Sequence, residues 1–410
     1  MNAPHQAMLT REALASHVPT QRYRLPVGGL VDRATTLRFS FDDKPLTGHA
    51  GDTLASALLA NGVRLVGRSF KYHRPRGILS AGPEEPNALV ELRTGARREP
   101  NTRATVAELF DGLEARSQNR WPSLAFDLAA VNGLIAPLIG AGFYYKTFMW
   151  PAAFWEKLYE PLIRRAAGLG RAPEGFDPDH YGRTHLHCDL LVVGAGPAGL
   201  MAALAAGRAG ARVVLMEEDA ALGGRLLAEC EEVDGRPGAE WVRAIEAELE
   251  SLPRTRILRR TAAFAVLDGG VVAAVERVAD HLPIPPPHTP RQRYWKIVAR
   301  RVVLAAGSIE RPVVFAGNDR PGVMLAGAVR TYLNRYAVTP GERAVVFTAS
   351  DDGWRTAVDL ARAGVRVEAV IDARGELPPT HAALAARVGA RAVLGGRVIG
   401  TRGRLHLSAV

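Results

Sequence analysis

From residue 189 onward, the spacing of apolar positions alternates between that of strands and that of helices. Asp189–Val193 (DLLVV) is an apolar run typical of a buried strand. A helical pattern follows through Arg208 and ends at Gly210, and Arg212–Met216 has the composition of a second strand. The order strand, turn, helix, strand predicts an α/β fold with a Rossmann-like parallel sheet, of the FAD/NAD(P)-binding, disulfide-reductase type.

The preceding part of the chain follows a different pattern. Thr36–Phe41 alternates between apolar and polar positions as a strand does, and Ala88–Leu92 supplies a later strand. Between them, Asp52 can cap a helix over Thr53–Asn61, which Gly62 would end. A strand hairpin, a helix and a later strand in this order resemble the β-grasp domain of plant-type ferredoxins.

Residues 121–169 are rich in aromatic side chains, and two interpretations stay open. They form either a helical connector that packs on its neighbours, which is the favoured reading, or a subunit contact centred on Phe143–Tyr159, because interfaces are enriched in aromatic residues. The chain is thus predicted to contain an N-terminal tail (1–21), a ferredoxin-like β-grasp domain (22–100), a helical aromatic-rich connector (101–186), a dinucleotide-binding domain (187–340) and a second, degenerate nucleotide-binding-like unit that is incomplete at its C-terminus (341–410).

The turn between the first strand and helix of the dinucleotide-binding domain reads GAGPAG. In such folds the first glycine allows a tight turn, the second lets a pyrophosphate approach the backbone, and the third lets helix and strand pack closely. Free N–H groups and the helix dipole hold the phosphate charge. The motif predicts one pyrophosphate site, with contacts from Gly194, Gly196, Pro197, Ala198 and Gly199.

A carboxylate stands where this site needs one. Glu217 lies 23 residues after Gly194, where an acidic residue accepts hydrogen bonds from the ribose hydroxyls of an adenosine. Glu218 adds a second negative charge, which disfavours the 2′-phosphate of NADP. NAD and FAD share the adenosine half that Glu217 would bind, so local physics leaves the choice between them open.

Two further segments fit a flavoprotein-reductase type of domain, although ordinary turn chemistry explains each equally well. Leu222–Arg225 (LGGR) follows the second strand, where such domains bring a loop back over the ribose and pyrophosphate, and it suggests Gly224 and Arg225 as contacts. Arg301–Gly307 is a strand that ends in small residues, which could lie against the cofactor.

The second nucleotide-binding-like unit repeats the scaffold without the phosphate-binding residues. Thr348 and Ser350 stand at the positions of the first two glycines, while Gly353 keeps the third. Asp351 and Asp352 occupy the helix start, where carboxylates cap a helix well and repel a pyrophosphate. One bound dinucleotide is therefore predicted, not two.

Composition narrows the chemistry further. The net charge is +10, but only five lysines occur and the arginines are scattered, so no nucleic-acid binding is expected. The dense basic cluster Arg64–Arg76 suits one anionic ligand or an acidic partner, with a solvated basic loop as the slightly favoured alternative. Cys188 and Cys230 form no C-x-x-C pair, which argues against a disulfide scaffold, a redox dithiol and a four-cysteine cluster. These patterns indicate no catalytic residue and no metal site.

The sequence shows neither a secretory signal nor a membrane-spanning segment. Residues 1–20 contain no continuous apolar run of the kind a secretory signal needs. The most membrane-like stretch, Leu124–Phe143, is interrupted by Asp127 and Pro137. A cytoplasmic protein without membrane association is expected.

Several longer strings add to these motifs: GRSFKYHRPRG at Gly67–Gly77 continuing as ILSAGPEEPNALVEL, FMWP at Phe148–Pro151, GSIERPVVFAGNDRPGVM at Gly307–Met324, and DDGWRT at Asp351–Thr356. With these strings, and with GAGPAG and Glu217, the chain resembles the alpha subunits of heterotetrameric sarcosine oxidases over nearly its whole length. Related opine- and amine-oxidising complexes carry cysteines after a KYHRPRG-like run, where this chain has Ser80, Ala81, Gly82 and Asn87, so no iron–sulfur cluster is expected.

The resemblance implies a division of labour among alpha, beta, gamma and delta subunits. The complex oxidises the N-methyl amine of sarcosine with oxygen as acceptor, the beta chain holds FAD and the substrate site, and FMN lies at the alpha–beta interface. The alpha chain holds NAD in an FAD-like site and contributes no amine-oxidation residue. Carried over by position, the NAD contacts here would be the Gly194–Gly199 loop, Glu217, Glu218, Arg225 and a strand position at Ala263.

Family alpha chains are much longer and add a folate-handling domain, so this chain is expected to be C-terminally truncated and inactive alone. Two other functions stay open. A self-sufficient FAD- and NAD(P)H-dependent oxidoreductase would need a second dinucleotide site and usually a redox centre, against which the degenerate unit and the two cysteines argue. A non-catalytic interaction protein that keeps a remnant nucleotide-binding fold is the other alternative.

Overall fold

The computed structural model describes residues 21–137, 140, 142–143, 146, 148–376 and 379–410. Two predicted features lie outside these residues: residues 1–20 of the predicted N-terminal tail, and Tyr144 and Tyr145 of the aromatic stretch. The helices are α1 (Leu54–Ala60), α2 (Glu160–Ala166), α3 (Pro197–Arg208), α4 (Gly238–Ser251), α5 (Ala326–Arg330), α6 (Asp351–Arg362) and α7 (Pro379–Val388).

The strands are β1 (Asp32–Phe41), β2 (Lys44–Ala50), β3 (Gly67–Arg68), β4 (Pro75–Arg76), β5 (Leu89–Leu92), β6 (Glu99–Arg103), β7 (Leu113–Ser117), β8 (Tyr181–Val193), β9 (Val213–Met216), β10 (Glu232–Val233), β11 (Arg236–Pro237), β12 (Thr255–Leu258), β13 (Thr261–Leu267), β14 (Val271–Glu276), β15 (Gln292–Leu304), β16 (Arg343–Thr348), β17 (Arg366–Asp372) and β18 (Arg391–Leu394).

The N-terminal sheet has the strand order β2-β1-β7-β5-β6, with β1 parallel to β7 and the other pairs antiparallel. Apolar side chains of β1 and α1, including Phe39, Phe41 and Leu58, are almost fully buried in one core. A helix packed on such a mixed sheet is the predicted β-grasp arrangement. Because β7 completes the sheet, the domain runs on to residue 117, beyond the predicted boundary at 100.

The start of α1 differs in detail from the prediction. Thr53, not Asp52, caps the helix: its hydroxyl accepts the N–H of Ser56, whose hydroxyl accepts the N–H of Thr53 in return. The Asp52 carboxylate is instead buried and pairs with Arg24 while accepting the Ser56 hydroxyl at 2.6 Å. A buried acid of this kind needs a cation and several donors, which removes it from the capping role. Gly62 follows the helix with φ +78°, as expected.

The second sheet has the order β12-β9-β8-β15-β14-β13. The first four strands are mutually parallel, and β14 and β13 are added antiparallel. Helices α3 and α4 share a core with β8 and β9, where Val192, Leu200 and Leu215 are fully buried. The predicted Rossmann-like arrangement is therefore present. Strand β8 already begins at Tyr181, so the boundary predicted between 186 and 187 falls inside a strand.

The third sheet is parallel, with the order β16-β17-β18, and α6 and α7 connect its strands. Trp354 of α6 is fully buried, and its indole N–H donates to the Asp372 carboxylate at the end of β17 at 2.8 Å. This unit keeps the strand–helix–strand order that the sequence predicts.

The connector leaves much of its apolar side-chain surface exposed. Between the end of β7 at Ser117 and the start of β8 at Tyr181, its described residues form short helical turns and α2 and add no strand to either neighbouring sheet. We refer to this as the connector surface, and its exposed apolar residues are Trp121, Phe126, Leu128, Val131, Leu134, Ile135, Met149, Trp150, Phe154, Leu158, Leu162, Leu169 and Phe176. Within the described part of the chain, every helix is too short or too polar to span a bilayer.

Candidate functional site

The turn from β8 into α3 is built on two glycines that the fold itself requires. Gly194 has φ +98°, and its N–H donates to Met216 O of β9 at 2.8 Å. A Cβ atom at Gly194 would lie 2.4 Å from Ala305 O, and one at Gly199 would lie 1.8 Å from Gly194 O. Both positions are thus closed to any side chain, because strand, turn and helix pack backbone to backbone.

Gly196 differs from its two neighbours in the motif. A Cβ atom built on it would meet nothing within 4 Å. Gly196 is the N-cap residue of α3 and Pro197 is its first residue, so the N–H groups of Ala198 and Gly199 point out of the first turn without intrahelical acceptors. The open space over Gly196 therefore lies at the positive end of a 12-residue helix.

Glu217 leaves β9 and turns its carboxylate to the same turn. One oxygen accepts the N–H of Ala195 at 2.7 Å, and the other accepts the N–H of Asp219 at 3.0 Å. The side chain is largely buried, and this burial raises the pKa of Glu217 above its ordinary value. A carboxylate has about four lone-pair positions, so two N–H groups leave capacity for further donors such as ribose hydroxyls.

Glu217–Asp219, which we call the acidic segment, carries a high local density of negative charge. Burial and the charge of Glu217 raise the pKa of Glu218. The carboxylate of Asp219 pairs with both terminal nitrogens of Arg335, which keeps its pKa below the ordinary value despite burial. The charge beside Glu217 is thus only partly compensated by cations.

The loop after β9 comes back over the glycine turn. Gly223 N–H donates to Ala195 O at 2.8 Å, and a Cβ at Gly224 would lie 3.2 Å from the Cα of Gly196. Gly224 has φ +52°, which favours glycine. The sequence-predicted residues Gly194–Gly199, Glu217 and Gly224 are therefore brought together around one opening.

Two residues predicted to contact the dinucleotide, Arg225 and Ala263, are not grouped around this opening. Arg225 pairs with Glu229 and Asp352, so its guanidinium is engaged by protein carboxylates. Ala263 lies on β13 opposite Ala274, two residues beyond Thr261, whose N–H donates to Glu217 O. The chain segment of Ala263 therefore starts beside the acidic segment, and its side chain is exposed on the outermost strand.

The corresponding turn of the second unit is occupied by side chains. Ser350 is the N-cap of α6, and a Cβ at Gly353 would lie 2.4 Å from the Cβ of Thr348. Asp351 pairs with Arg374, while Asp352 pairs with two arginines. The tight helix packing of the first unit is kept here, and paired carboxylates fill the helix start.

Sequence reasoning missed the cations that hold the acidic segment. Arg335 pairs with Asp219 across 116 residues, and Arg277 donates to Glu218 O at 2.6 Å. No spacing rule links such distant positions. The one available signal was the run of three consecutive acids at Glu217–Asp219, whose negative charge calls for a basic partner.

The basic cluster Arg64–Arg76 is largely engaged inside the protein. Arg68 is buried and donates to backbone carbonyls, and Arg74 and Arg76 both pair with Asp319. Residues of this cluster line a pocket of about 280 Å³ with the side chains of Asn87 and other amides. Within the ranges that the structure describes, no group of three or more histidine, cysteine, aspartate or glutamate side chains could hold a metal ion.

Two sequence families match the chain. Residues 34–120 match a family described as a 2Fe-2S iron-sulfur cluster binding domain, and residues 189–265 match one described as FAD dependent oxidoreductase. Both agree with the fold of the sheets that they cover, and the predicted fold class is confirmed.

Similar whole proteins include three that are named as alpha subunits of sarcosine oxidase. The one from Rhizobium meliloti (strain 1021) is 58% identical over 95% of this chain and 39% of its own length. The one from Corynebacterium sp. (strain P-1) is 41% identical over 92% of this chain and 35% of its own length. The one from Corynebacterium sp. (strain U-96) is 39% identical over 85% of this chain and 31% of its own length. This chain thus spans between 31% and 39% of the length of these relatives.

A solved structure supports the fold alone. L-proline dehydrogenase from P. horikoshii superposes with a TM-score of 0.56 at 22% identity, covering 85% of this chain and 55% of that chain. The β-grasp and Rossmann-like parts together therefore have a structural counterpart.

The family match over residues 34–120 contradicts one prediction. The expectation that the chain has no iron–sulfur cluster is wrong, because residues 34–120 match a family described as a 2Fe-2S iron-sulfur cluster binding domain. Such clusters are held by thiolates. Cys188 and Cys230 both lie outside the matched residues, so those residues do not supply donors of that type.

Proposed function

Because this chain belongs to the sequence family of the sarcosine oxidase alpha subunits, we propose that it is the dinucleotide-binding subunit of an amine-oxidising complex. Its bound dinucleotide is NAD, held with the pyrophosphate over Gly196 and the adenosine ribose on Glu217. The residues present fit such a group, because an open helix start and a carboxylate with spare acceptor positions face one opening.

One observation carries this proposal. Of the three motif glycines, only Gly196 has free space where a side chain would stand, although the fold does not need a glycine there. The loop through Gly224 and the acid Glu217 border that space. A ligand that needs both bare backbone and a ribose-binding carboxylate accounts for this arrangement.

The test is to identify the ligand that copurifies. We expect mass spectrometry of the denatured chain to find NAD, and calorimetry of ligand-free protein to give a measurable affinity for NAD. Weaker binding of NADP is expected, because Glu218 places negative charge beside the ribose. A chain that yields no dinucleotide and gives no heat with NAD or FAD would contradict the proposal and favour a remnant interaction protein.

FAD is the second candidate, and the description of the family matched by residues 189–265 favours it. An absorbance spectrum distinguishes the two, because only a bound flavin absorbs in the visible range. A flavin together with NADH oxidation by the isolated chain would favour a self-sufficient reductase.

We propose that amine oxidation takes place in partner subunits, with sarcosine as substrate and oxygen as acceptor. The partner beta chain would hold the substrate site, gamma and delta subunits would complete the assembly, and FMN would lie at the interface with the beta chain. The relatives named as sarcosine oxidase alpha subunits support sarcosine as the substrate and a role for this chain as one subunit of a larger assembly. Sarcosine-dependent peroxide formation should appear when this chain is purified with its beta partner, and turnover by this chain alone would contradict it.

The connector surface is the proposed contact with that partner. Its exposed apolar side chains form the kind of surface that subunit interfaces bury. Hydrogen exchange across residues 121–176 should slow when the partner is added. Unchanged exchange in an assembled complex would place the contact elsewhere.

A further inference from the structure

The acidic segment is held from outside by three arginines. Arg277 donates to Glu218 O at 2.6 Å, and the backbone N–H of Arg260 donates to Asp219 O at 3.0 Å. Arg335 forms the two-point pair with Asp219. The position of the proposed ribose-binding carboxylate is therefore fixed by contacts that include no ligand.

Two of these arginines reach the N-terminal β-grasp domain. The Nε and Nη2 atoms of Arg260 donate to the two carboxylate oxygens of Glu108 at 2.6 and 2.8 Å. Arg277 donates to Val106 O at 2.8 Å and, through its own N–H, to Arg260 O at 2.9 Å. Glu108 is itself held by a β-bridge to Thr53 at the start of α1.

We propose that Glu108 is a positioning residue for dinucleotide binding, acting through Arg260 on the acidic segment. This inference rests on the proposed function. It gives the β-grasp domain a role at the cofactor site that does not depend on touching the cofactor. Every link between Glu108 and Asp219 is a direct hydrogen bond.

The backbone of Arg260 explains how a side-chain contact can act on the acidic segment. Arg260 has φ +52°, so it sits in a left-handed turn that a side-chain anchor helps to hold. A two-point arginine–carboxylate contact fixes orientation as well as distance. If the Glu108–Arg260 contact is lost, the turn at Arg260, whose N–H donates to Asp219 O, becomes more mobile. The acidic segment, including Glu217, then becomes more mobile as well.

The test compares two matched substitutions, Glu108→Gln and Glu248→Gln. Glu248 pairs with Arg208 through the same atoms at the same distances, 2.6 and 2.8 Å, but inside the dinucleotide-binding domain on α3 and α4. We expect Glu108→Gln to weaken NAD binding by about three- to tenfold in calorimetry. Glu248→Gln should leave the affinity unchanged within about twofold, since its pair is exposed and joins α3 to α4.

A second readout separates positioning from general loosening. The wild-type chain should prefer ADP to 2′-deoxy-ADP, because Glu217 binds the ribose hydroxyl. Glu108→Gln should shrink that preference, whereas a merely less stable protein would lose affinity for both ligands in equal proportion. Arg260→Lys keeps the charge and loses the two-point geometry, so it should reproduce the effect should Glu108→Gln fail to fold.

The possible outcomes separate the positioning role from the proposed function. If the wild type binds NAD and both glutamate variants bind it equally well, the positioning role is overturned and the proposed function stands. If the wild type binds neither NAD nor ADP, the proposed function fails, and this inference fails with it.

Discussion

Arg225 and Asp352 join the two nucleotide-binding-like units, with one guanidinium nitrogen of Arg225 lying 3.1 and 3.2 Å from the two carboxylate oxygens of Asp352. Asp352 also accepts from Arg330 at 2.9 Å, and Arg330 is almost fully buried beside Asp359. The sequence predicts that Asp352 repels a pyrophosphate. In the structure, Asp352 instead links the two nucleotide-binding-like units through its arginine partners.

Removing that junction should destabilise the protein. Asp352→Ala leaves the buried cation of Arg330 with Asp359 as its main partner, and we expect a loss of about 1–3 kcal/mol in the free energy of unfolding. Urea unfolding followed by circular dichroism measures it. Asp351→Ala is the control, because it removes an acid from the same helix turn. The partner of Asp351 is Arg374, which is more exposed than Arg330, so this variant should lose less than about 1 kcal/mol in unfolding free energy. Equal losses would contradict the junction role.

The motif glycines should separate into structural and ligand-binding positions. Gly199→Ala places a methyl group 1.8 Å from Gly194 O, so α3 must move and we expect a loss of several kcal/mol or failure to fold, on the order of the larger core effects. Gly196→Ala meets no atom within 4 Å and should change stability by less than about 1 kcal/mol. The same Gly196→Ala variant should bind NAD at least about tenfold more weakly, because the methyl group occupies the pyrophosphate position.

Thermal unfolding and calorimetry together check this division. If Gly196→Ala unfolds and binds NAD as the wild type does, the pyrophosphate does not bind at this turn. A stable Gly199→Ala variant would show that the helix has room to shift.

Binding should weaken in acid. The pKa of Glu217 is raised, first by burial, so the carboxylate takes up a proton at a pH above its ordinary value of 4.5. Asp219, Glu218 and Arg335 are the charged groups around it. Loss of the charge weakens the bond from the ribose hydroxyl, and we expect NAD affinity to fall by about five- to tenfold as pH drops through the raised pKa. Glu217→Gln should bind more weakly at neutral pH and lack this dependence.

Stability should respond with the opposite sign. A carboxyl group whose pKa is raised on folding favours the folded state most below its unfolded pKa, and that contribution is lost as pH rises through the folded pKa. The difference in unfolding free energy between wild type and Glu217→Gln should therefore shift toward the wild type as pH falls. If affinity and this difference moved in the same direction, Glu217 would not be the titrating group.

The glycine turn could be predicted because its requirements are local. The backbone clashes at Gly194 and Gly199 arise within one strand–turn–helix unit, and Glu217 is fixed by the length of that unit. The helix α1 is equally predictable, yet the sequence pattern predicts a cap at Asp52, whereas Thr53 caps the helix. Both residue types cap helices, and only the burial of Asp52 beside Arg24 decides between them.

Other features depend on contacts between distant parts of the chain. One of the two carboxylate partners of Arg225 lies 127 residues away, so a cofactor contact inferred from local position could not anticipate Asp352. The same holds for Glu108 and Arg260, which are 152 residues apart. The predicted domain boundary at 100 lies before the end of the first sheet, because β7 joins that sheet from beyond an irregular stretch.

The loop of Leu79–Ala88 should depend on one buried acid. Glu85 is almost fully buried, and its carboxylate accepts four backbone N–H groups: Leu79 and Ser80 on one oxygen, Asn87 and Ala88 on the other. In Glu85→Gln the amide nitrogen would face two of these donors and leave them unsatisfied. We expect a loss of about 2–5 kcal/mol in unfolding free energy, since buried donors to a charged group are costly to leave unpaired.

Glu84→Gln is the matched control, because it makes the same change one residue earlier at a half-buried position. It should alter stability by less than about 1 kcal/mol. Urea midpoints of the two variants measure the difference. Should the two prove equally stable, the four N–H groups would have to find other acceptors, and the loop would not owe its conformation to Glu85. A large loss confined to Glu85→Gln would instead mean that one carboxylate organises the loop of the region matched to cluster-binding domains.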